Sequence, residues 1–200
     1  SIATAAIVFA LIFPVELPDK TFIATLVLAT RYRPLLVWIG VASAFAVQTV
    51  VAVTLGGLLA KLPHQPVQIL AACMFALGAV ILFRGASAAD EEEHAVEEEF
   101  AAKVAVPETG FRAVVASFLI LFLAEWGDLS QLLTASLAAK YQDPVSVGVG
   151  AFLALATISA LGATLGRQLL KRMKLATIRR VGASVCLLLS ALTVVELVRG

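Results

Sequence analysis

Long apolar runs alternate with short polar segments along this chain, and the runs have the length of membrane-crossing helices. A helix needs about 20 predominantly apolar residues to cross the hydrocarbon layer of a bilayer. Six stretches meet this criterion: 2–30, 35–60, 66–84, 111–139, 145–168 and 177–198. The first is too long for a secretory signal and has no basic amino-terminal region. The pattern therefore predicts an all-α membrane protein with six transmembrane helices.

One segment between the third and fourth spans is clearly hydrophilic, namely 86–110. Seven of the fourteen acidic residues lie there between Asp90 and Glu99. This composition predicts a solvated, partly helical linker between a first three-helix unit at 1–85 and a second at 111–200. A second interpretation is a cation-collecting or regulatory arm, because clustered carboxylates raise the local cation concentration.

Composition supports a membrane setting and argues against several function classes. The chain has 60% hydrophobic and 14% charged residues, whereas soluble domains have about half and about a quarter. A net charge of +1, with no basic patch among aromatic residues, argues against a nucleic-acid partner. Cys73 and Cys186 stand singly in apolar runs, as small core residues do. The lipid bilayer is the predicted partner, and whether the chain forms a homodimer stays open.

The basic residues between the spans predict the orientation of the chain. Only Lys61, Lys140 and Arg199 fall on one side of the predicted membrane. Cytoplasmic loops carry an excess of Lys and Arg, so the other side is predicted to be cytoplasmic. The acidic linker then lies in the cytoplasm and both termini lie outside. A bacterial inner membrane is the simplest location, and an organelle membrane is the alternative. The predicted cytoplasmic set is Arg31, Arg33, Arg84, Lys103, Arg112, Arg167, Lys171, Arg172, Lys174, Arg179 and Arg180.

The two halves of the chain repeat each other. "FPVELPDKTFIATLVLATRY" (13–32) and "FLAEWGDLSQLLTASLAAKY" (122–141) are identical at seven of twenty positions. Three spans per half is an odd number, so the halves are predicted to cross the membrane in opposite directions. Such inverted-topology repeats are typical of secondary transporters, whose binding site lies near the bilayer midplane. With one inserted residue, the match continues through Pro34/Pro144, Gly40/Gly150, Thr54/Thr164 and Gly56/Gly166.

Two pairs of acidic residues are predicted to lie midway across the membrane, Glu16 with Asp19 and Glu125 with Asp128. Each ionised side chain costs roughly 2.5–3.5 kcal/mol at the centre of a helix in a bilayer, so four cost on the order of 10 kcal/mol. A bound divalent cation, or protons, would remove most of this cost. Residues at i and i+3 share a helix face, so each pair could contact one ion. The alternative is a salt bridge with Lys20, which would leave three acids unneutralised.

Carboxylate oxygens suit Ca²⁺, Mg²⁺ and Mn²⁺, and no Cys or His stands near them to favour zinc or copper. Pro14 and Pro18 each leave a backbone carbonyl of the first span without a helical donor. Gln131 falls near Asp128 on a helical wheel and is a candidate neutral ligand. Thr21 and Ser130 point away from the acids on an ideal helix and would support the site through neighbouring helices. A supporting shell or plain interhelix hydrogen bonds are predicted for Gln48, Thr49, Thr157 and Ser159.

The segments "ELPDKT" and "EWGDLSQ" resemble the Glu-x-Gly-Asp-Lys/Arg-Thr/Ser signature of the Ca²⁺:cation antiporter-2 family, and the resemblance covers nearly the whole chain. It implies exchange of Mn²⁺ or Ca²⁺ for protons without a cofactor. It also implies that the four acids described above form the ion site. Two positions depart from the signature, Pro18 in place of Gly and Leu129 in place of Lys or Arg. Only the first copy keeps its base, and Lys20 is predicted to pair with one of the acids.

The predicted function is export of a divalent cation from the cytoplasm by alternating access, with protons returning. No nucleophile motif is present, and His64 and His94 fall outside the predicted spans, so an enzyme is not expected. A passive cation channel lined by carboxylates is an alternative. A membrane metalloenzyme and a six-span exporter of small solutes are two more. Paired acids suit a cation better than a zwitterion.

The predicted orientation can be measured with single cysteines placed at positions 90–99 after replacement of Cys73 and Cys186. We expect a membrane-impermeant thiol reagent to label them only from the cytoplasmic side, because loops with an excess of basic residues remain in the cytoplasm. A cysteine at Lys61 should be labelled only from the opposite side. Labelling of positions 90–99 from outside would show that the predicted orientation is wrong.

Overall fold

The computed structural model describes residues 1–17, 19–104, 106–172 and 174–199, except the side chains of residues 90, 170 and 175. All regular secondary structure in these ranges is helical. The helices found there are α1 Ile2–Glu16, α2 Lys20–Arg31, α3 Pro34–Leu59, α4 His64–Gly85, α5 Ala89–Lys103, α6 Phe111–Ala124, α7 Leu129–Tyr141, α8 Pro144–Arg172 and α9 Leu175–Arg199.

Four helices within the described residues are long and apolar enough to cross a membrane alone, namely α3, α4, α8 and α9. The pairs α1–α2 and α6–α7 pass the same criterion only when each is taken together, with bends of 73° and 74°. The described part of the chain therefore has four to six candidate spans. The prediction of an all-helical membrane protein is confirmed. The predicted first and fourth spans, 2–30 and 111–139, are each two helices joined at a bend instead of one straight helix.

The break between α6 and α7 has a local cause at Gly127. This residue has φ +77°, a left-handed conformation that glycine adopts without a Cβ clash. α6 ends at Ala124, and Asp128 precedes α7 as its N-cap residue in an extended conformation. In the first half the aligned position is Pro18, which lies outside the described residues. There Asp19 caps α2, and its Oδ1 accepts a hydrogen bond of 2.7 Å from the backbone N–H of Lys20.

These breaks change the geometry expected for the acids. Glu16 is the last residue of α1, and Asp19 stands just before α2. They do not share one face of a continuous helix, as their i, i+3 spacing suggests. Each pair instead flanks a bend, so its two carboxylates approach the centre of the bundle from different helix ends.

The two halves pack mainly against each other, with α1 and α2 on α8, α6 and α7 on α3, and α4 on α9. Glycines permit the closest approaches. A Cβ at Gly40 would lie 2.4 Å from the carbonyl oxygen of Val114, and a Cβ at Gly150 would lie 2.3 Å from that of Ala5. Gly40 and Gly150 are aligned in the sequence repeat, so equivalent glycines occupy equivalent contacts.

The acidic linker is helical, but it is not simply solvated. Val96 and Phe100 of α5 are buried, and α5 packs against α2. On its exposed face, Lys103 Nζ lies 2.7 Å from Glu99 Oε1 and lowers the pKa of that carboxyl. The linker is therefore an amphipathic helix docked on one end of the bundle, which we call the linker side.

Adjacent glycines in α3 provide a test of this close packing. A Cβ at Gly56 would lie 2.3 Å from the carbonyl oxygen of Ala135, whereas a Cβ at Gly57 would meet its nearest atom, in Pro144, at 3.9 Å. We expect Gly56→Ala to destabilise the protein by about 1–3 kcal/mol because a backbone must move. Gly57→Ala should be neutral or stabilising by up to about 1 kcal/mol. Thermal unfolding in detergent measures both, and equal midpoints would contradict the packing described.

Candidate cation site

Carboxylates from both helix breaks converge inside the bundle. Glu16, Asp19 and Asp128 each offer one oxygen atom, and these three oxygens lie within 4.8 Å of one another. Glu16 is 1% exposed, and neither of its carboxylate oxygens has a hydrogen-bond partner. Acids that are 109 positions apart in the repeat thus form one cluster, which we call the acid cluster.

Glu125 lies next to the acid cluster but is not one of its three residues. Its side chain is 3% exposed, and its Oε1 has no hydrogen-bond partner. Its carboxyl lies beside that of Asp128 and within electrostatic range of Glu16 and Asp19. The structure therefore brings all four predicted acids into one region, with Glu125 reaching the others through Asp128.

The predicted pairing of Lys20 with an acid has no ion pair to support it among the described side chains. Lys20 is exposed, and its backbone N–H, not its ammonium group, binds Asp19. The ammonium group acts electrostatically on Glu99 of α5. Arg179 of α9 lies close enough to Asp19 for a weak electrostatic attraction. In the second motif copy, Leu129 stands where the signature has Lys or Arg. Because Lys20 itself forms no ion pair with an acid in the described part of the chain, this replacement removes no such pair.

The broken helices supply polar groups to the same region. Asp19 and Asp128 are the N-cap residues of α2 and α7, and the amino-terminal end of a helix stabilises negative charge. The break itself is held by Gln131, whose Oε1 accepts a hydrogen bond of 2.7 Å from the backbone N–H of Gly127. Gln48 of α3 donates from Nε2 to the carbonyl of Phe122, in the last turn of α6, at 3.1 Å. Both amides thus stabilise the bend instead of pointing freely at the acids.

The other predicted supporting residues occupy different surroundings. The hydroxyl of Ser130 lies near Glu16 of the opposite half, although outside hydrogen-bonding geometry. This position next to α1 agrees with the expectation that Ser130 contacts a neighbouring helix. Thr21 is buried in α2, and its hydroxyl has no hydrogen-bond partner. The carbonyl of Pro14 faces Gly182 of α9.

Two cavities lie near the acid cluster, and they differ in size. The larger, of about 220 Å³, lies on the linker side and is lined by Asp19, Lys20, Ile81, Leu82, Gly85, Glu92, Asp128, Leu129 and Arg179. The smaller, of about 10 Å³, contains no residue of α5 and is lined by Gln48, Thr49, Ala52, Ser130, Gln131, Thr134 and Leu155. That volume holds about one water molecule. The acids are therefore more accessible from the linker side in this conformation.

Sequence reasoning missed the helix breaks and the role of Arg179. A signal for the breaks was present, because Pro18 and Gly127 are aligned and both disfavour a helix interior. For Arg179, the sequence indicated only a basic residue at a span end. Its approach to Asp19 depends on the packing of α9, which no local pattern encodes.

Comparison with known proteins identifies one family. The model of the divalent cation/proton antiporter GDT1 family matches residues 4–90 and 113–200, and it leaves out most of the linker. The family is one of transporters, in agreement with the expectation that the chain is not an enzyme. The resemblance to cation antiporters stated from the two motifs is confirmed.

Individual relatives come from plants and a cyanobacterium. GDT1-like protein sll0615 of Synechocystis is 34% identical over 159 residues, which are 76% of this chain and 76% of the relative. GDT1-like protein 1, chloroplastic, of Oryza sativa subsp. indica is 32% identical over 214 residues, covering 95% of this chain and 61% of the relative. Protein PAM71, chloroplastic, of Arabidopsis thaliana is 32% identical over 217 residues, covering 95% and 56%.

The chain thus spans about three fifths of the length of these two chloroplastic relatives. No solved structure matches it significantly.

The charge of the acid cluster can be tested by Glu16→Gln, which keeps the shape of a buried side chain and removes its ionisable oxygen. In the presence of a chelator we expect thermal stability at least equal to that of the unchanged protein, because no hydrogen bond is lost. Added Mn²⁺ or Ca²⁺ should stabilise the unchanged protein by about 2.7 kcal/mol at one hundred times its dissociation constant. The variant should lose most of this gain, and Glu98→Gln on the exposed face of α5 should keep it. An equal metal-induced gain in Glu16→Gln would remove this residue from the site.

Proposed function

The chain belongs to the divalent cation/proton antiporter GDT1 family, and from this premise we propose that it exchanges Mn²⁺ or Ca²⁺ for protons across a lipid bilayer. The observation that carries the proposal is the convergence of Glu16 and Asp19 from one half with Asp128 from the other. The cation is the transported substrate, and no cofactor is part of the proposal.

The dimensions of the acid cluster support a divalent cation. Oxygen ligands lie 2.3–2.6 Å from Ca²⁺, so two on opposite sides of the ion are about 5 Å apart. The three oxygens in the cluster fall within 4.8 Å of one another. We propose Glu16, Asp19, Glu125 and Asp128 as ligands, with Ser130 close enough to assist after a small movement. Mn²⁺ prefers the same hard oxygen donors, so both ions remain in the proposal.

Coupling follows from competition for the same oxygens. Buried carboxylates that share one region repel each other strongly when all are ionised, so protons or a cation must neutralise them. Binding of a divalent cation requires deprotonated ligands and therefore releases protons. A site that holds either the cation or protons, but not both, exchanges one for the other each time its access changes sides.

We further propose that 1–85 and 111–200 are inverted-topology repeats joined by the linker 86–110. The similar bends of 73° and 74° support this arrangement. So do the equivalent contacts of Gly40 and Gly150 with the opposite half. Rocking of the halves about the acid cluster would then close the linker-side cavity and open the opposite one.

The direction of transport follows from the predicted orientation. The basic residues favour a cytoplasmic linker side, and the larger cavity opens there. We therefore propose that the cation is loaded from the cytoplasm and released outside, with both termini outside. A bacterial inner membrane is the proposed location, and the match to a cyanobacterial protein supports a bacterial setting.

Reconstitution of the purified chain into proteoliposomes tests the function. With a proton gradient imposed, we expect Mn²⁺ or Ca²⁺ to move against the direction of proton flow, and reversal of the gradient should reverse the metal flux. Glu16→Gln and Glu125→Gln should each abolish exchange, because each removes a ligand that must alternate between cation and proton. Glu98→Gln is the matched control and should exchange normally.

Other outcomes of this assay identify the alternatives. A metal flux that ignores the proton gradient indicates a passive channel. The absence of any metal flux in correctly folded protein would contradict the proposal and favour a small-solute exporter or a membrane metalloenzyme.

A further inference from the structure

A buried arginine lies at the linker-side end of α9. Arg179 is 6% exposed, and its Nη1 donates hydrogen bonds to Glu92 Oε2 at 2.6 Å and to the carbonyl oxygen of Gly85 at 2.7 Å. Three helices meet at this point, namely α4, α5 and α9. A buried charge is costly unless it is paired, so these two acceptors are what hold the guanidinium in place.

The backbone around this contact leaves little spare room. A Cβ at Gly85 would lie 3.1 Å from Arg179 Nη1 and 3.9 Å from Glu92 Oε2. The absence of a side chain at Gly85 therefore lets the guanidinium reach both acceptors. The Glu92 side chain is 41% exposed, so its carboxylate stands between water and the buried guanidinium.

The same contact borders the route to the acid cluster. The cavity of about 220 Å³ is lined by Asp19 and Asp128 and also by Arg179 and Glu92. Arg179 is close enough to act electrostatically on Asp19. A cation in this cavity lies near the positive charge of Arg179 as well as near the acids, and the positive charge repels it.

We propose that Arg179 is the gate residue of the linker-side cation path. While Glu92 and Gly85 hold its guanidinium, this positive charge stays in the linker-side cavity and opposes the passage of a divalent cation to the acid cluster. Separation of Arg179 from Glu92 opens the path, and the freed carboxylate of Glu92 then faces the incoming cation. This proposal deepens the proposed function and rests on it for the identity of the ion. According to this proposal, the linker helix α5 takes part in transport, because it carries Glu92.

Accessibility of a cysteine in the cavity tests the gate without any transport measurement. The reporter is Leu82→Cys in a chain with Cys73→Ala and Cys186→Ala, and the probe is a membrane-impermeant methanethiosulfonate applied from the linker side. Glu92→Gln should raise the labelling rate about tenfold, the effect expected from loss of one charge-assisted hydrogen bond. Glu91→Gln removes the same charge from an exposed neighbour on α5 and should leave the rate unchanged. Equal rates in these two variants would overturn the proposal.

A double-mutant cycle separates a gate from a general loosening of the bundle. If Glu92 and Arg179 act as one pair, Arg179→Gln and the double variant should label no faster than Glu92→Gln. Arg179→Lys keeps the charge and should restore part of the slow labelling. A second reporter, Thr134→Cys in the smaller cavity, should keep its low rate in every variant. A parallel rise at both reporters would mean that the contact is only structural, which would also overturn the proposal.

Failure of the gate and failure of the proposed function give different results. Normal cation/proton exchange together with identical labelling of Glu92→Gln and Glu91→Gln would reject the gate alone. A selective rise in labelling in a protein that exchanges no cation would reject the proposed function and leave the gate geometry in place. In exchange-competent protein, Arg179→Gln should also lower the half-saturating cation concentration on the linker side, because it removes the positive charge from the path, with Glu91→Gln unchanged.

Discussion

Glu16, Asp19 and Asp128 place carboxylate oxygens within 4.8 Å of one another in a bundle whose other interior residues are largely apolar. Glu16 has no hydrogen-bond donor at either oxygen. Such a cluster is stable only when protons or a cation neutralise it, because like charges at this distance repel strongly in a medium of low dielectric constant. The helix breaks, the cavities and the proposed exchange all follow from this one requirement.

Breaking two helices is how the chain brings these acids together. A continuous helix would carry both acids of a pair on one face and would offer no free backbone groups near them. At a break, the starts of α2 and α7 lie beside Asp19 and Asp128, and the amino-terminal end of a helix stabilises negative charge. The cost is backbone that leaves the helical pattern at membrane depth, which is tolerated where it lines a protein cavity.

The sequence predicted the helical class, the number of apolar segments, and the residues that carry the acids, because each of these depends on hydropathy or on the internal repeat. It did not predict the bends, since apolar residues continue on both sides of Pro18 and Gly127 and conceal the interruption. It also missed the contact between Arg179 and Glu92, which joins residues 87 positions apart. Contacts of this kind depend on how α5 and α9 pack, and no periodicity reports that packing.

The reciprocal glycine contacts have a consequence for biosynthesis. Gly40 and Gly56 are covered by backbone of the second half, and Gly150 and Gly166 are covered by residues of the first. The half that leaves the ribosome first therefore enters the bilayer without the surfaces that will fill its own grooves. Its helices must remain inserted but loosely associated until translation is nearly complete, so the final architecture forms as a late, post-insertion step.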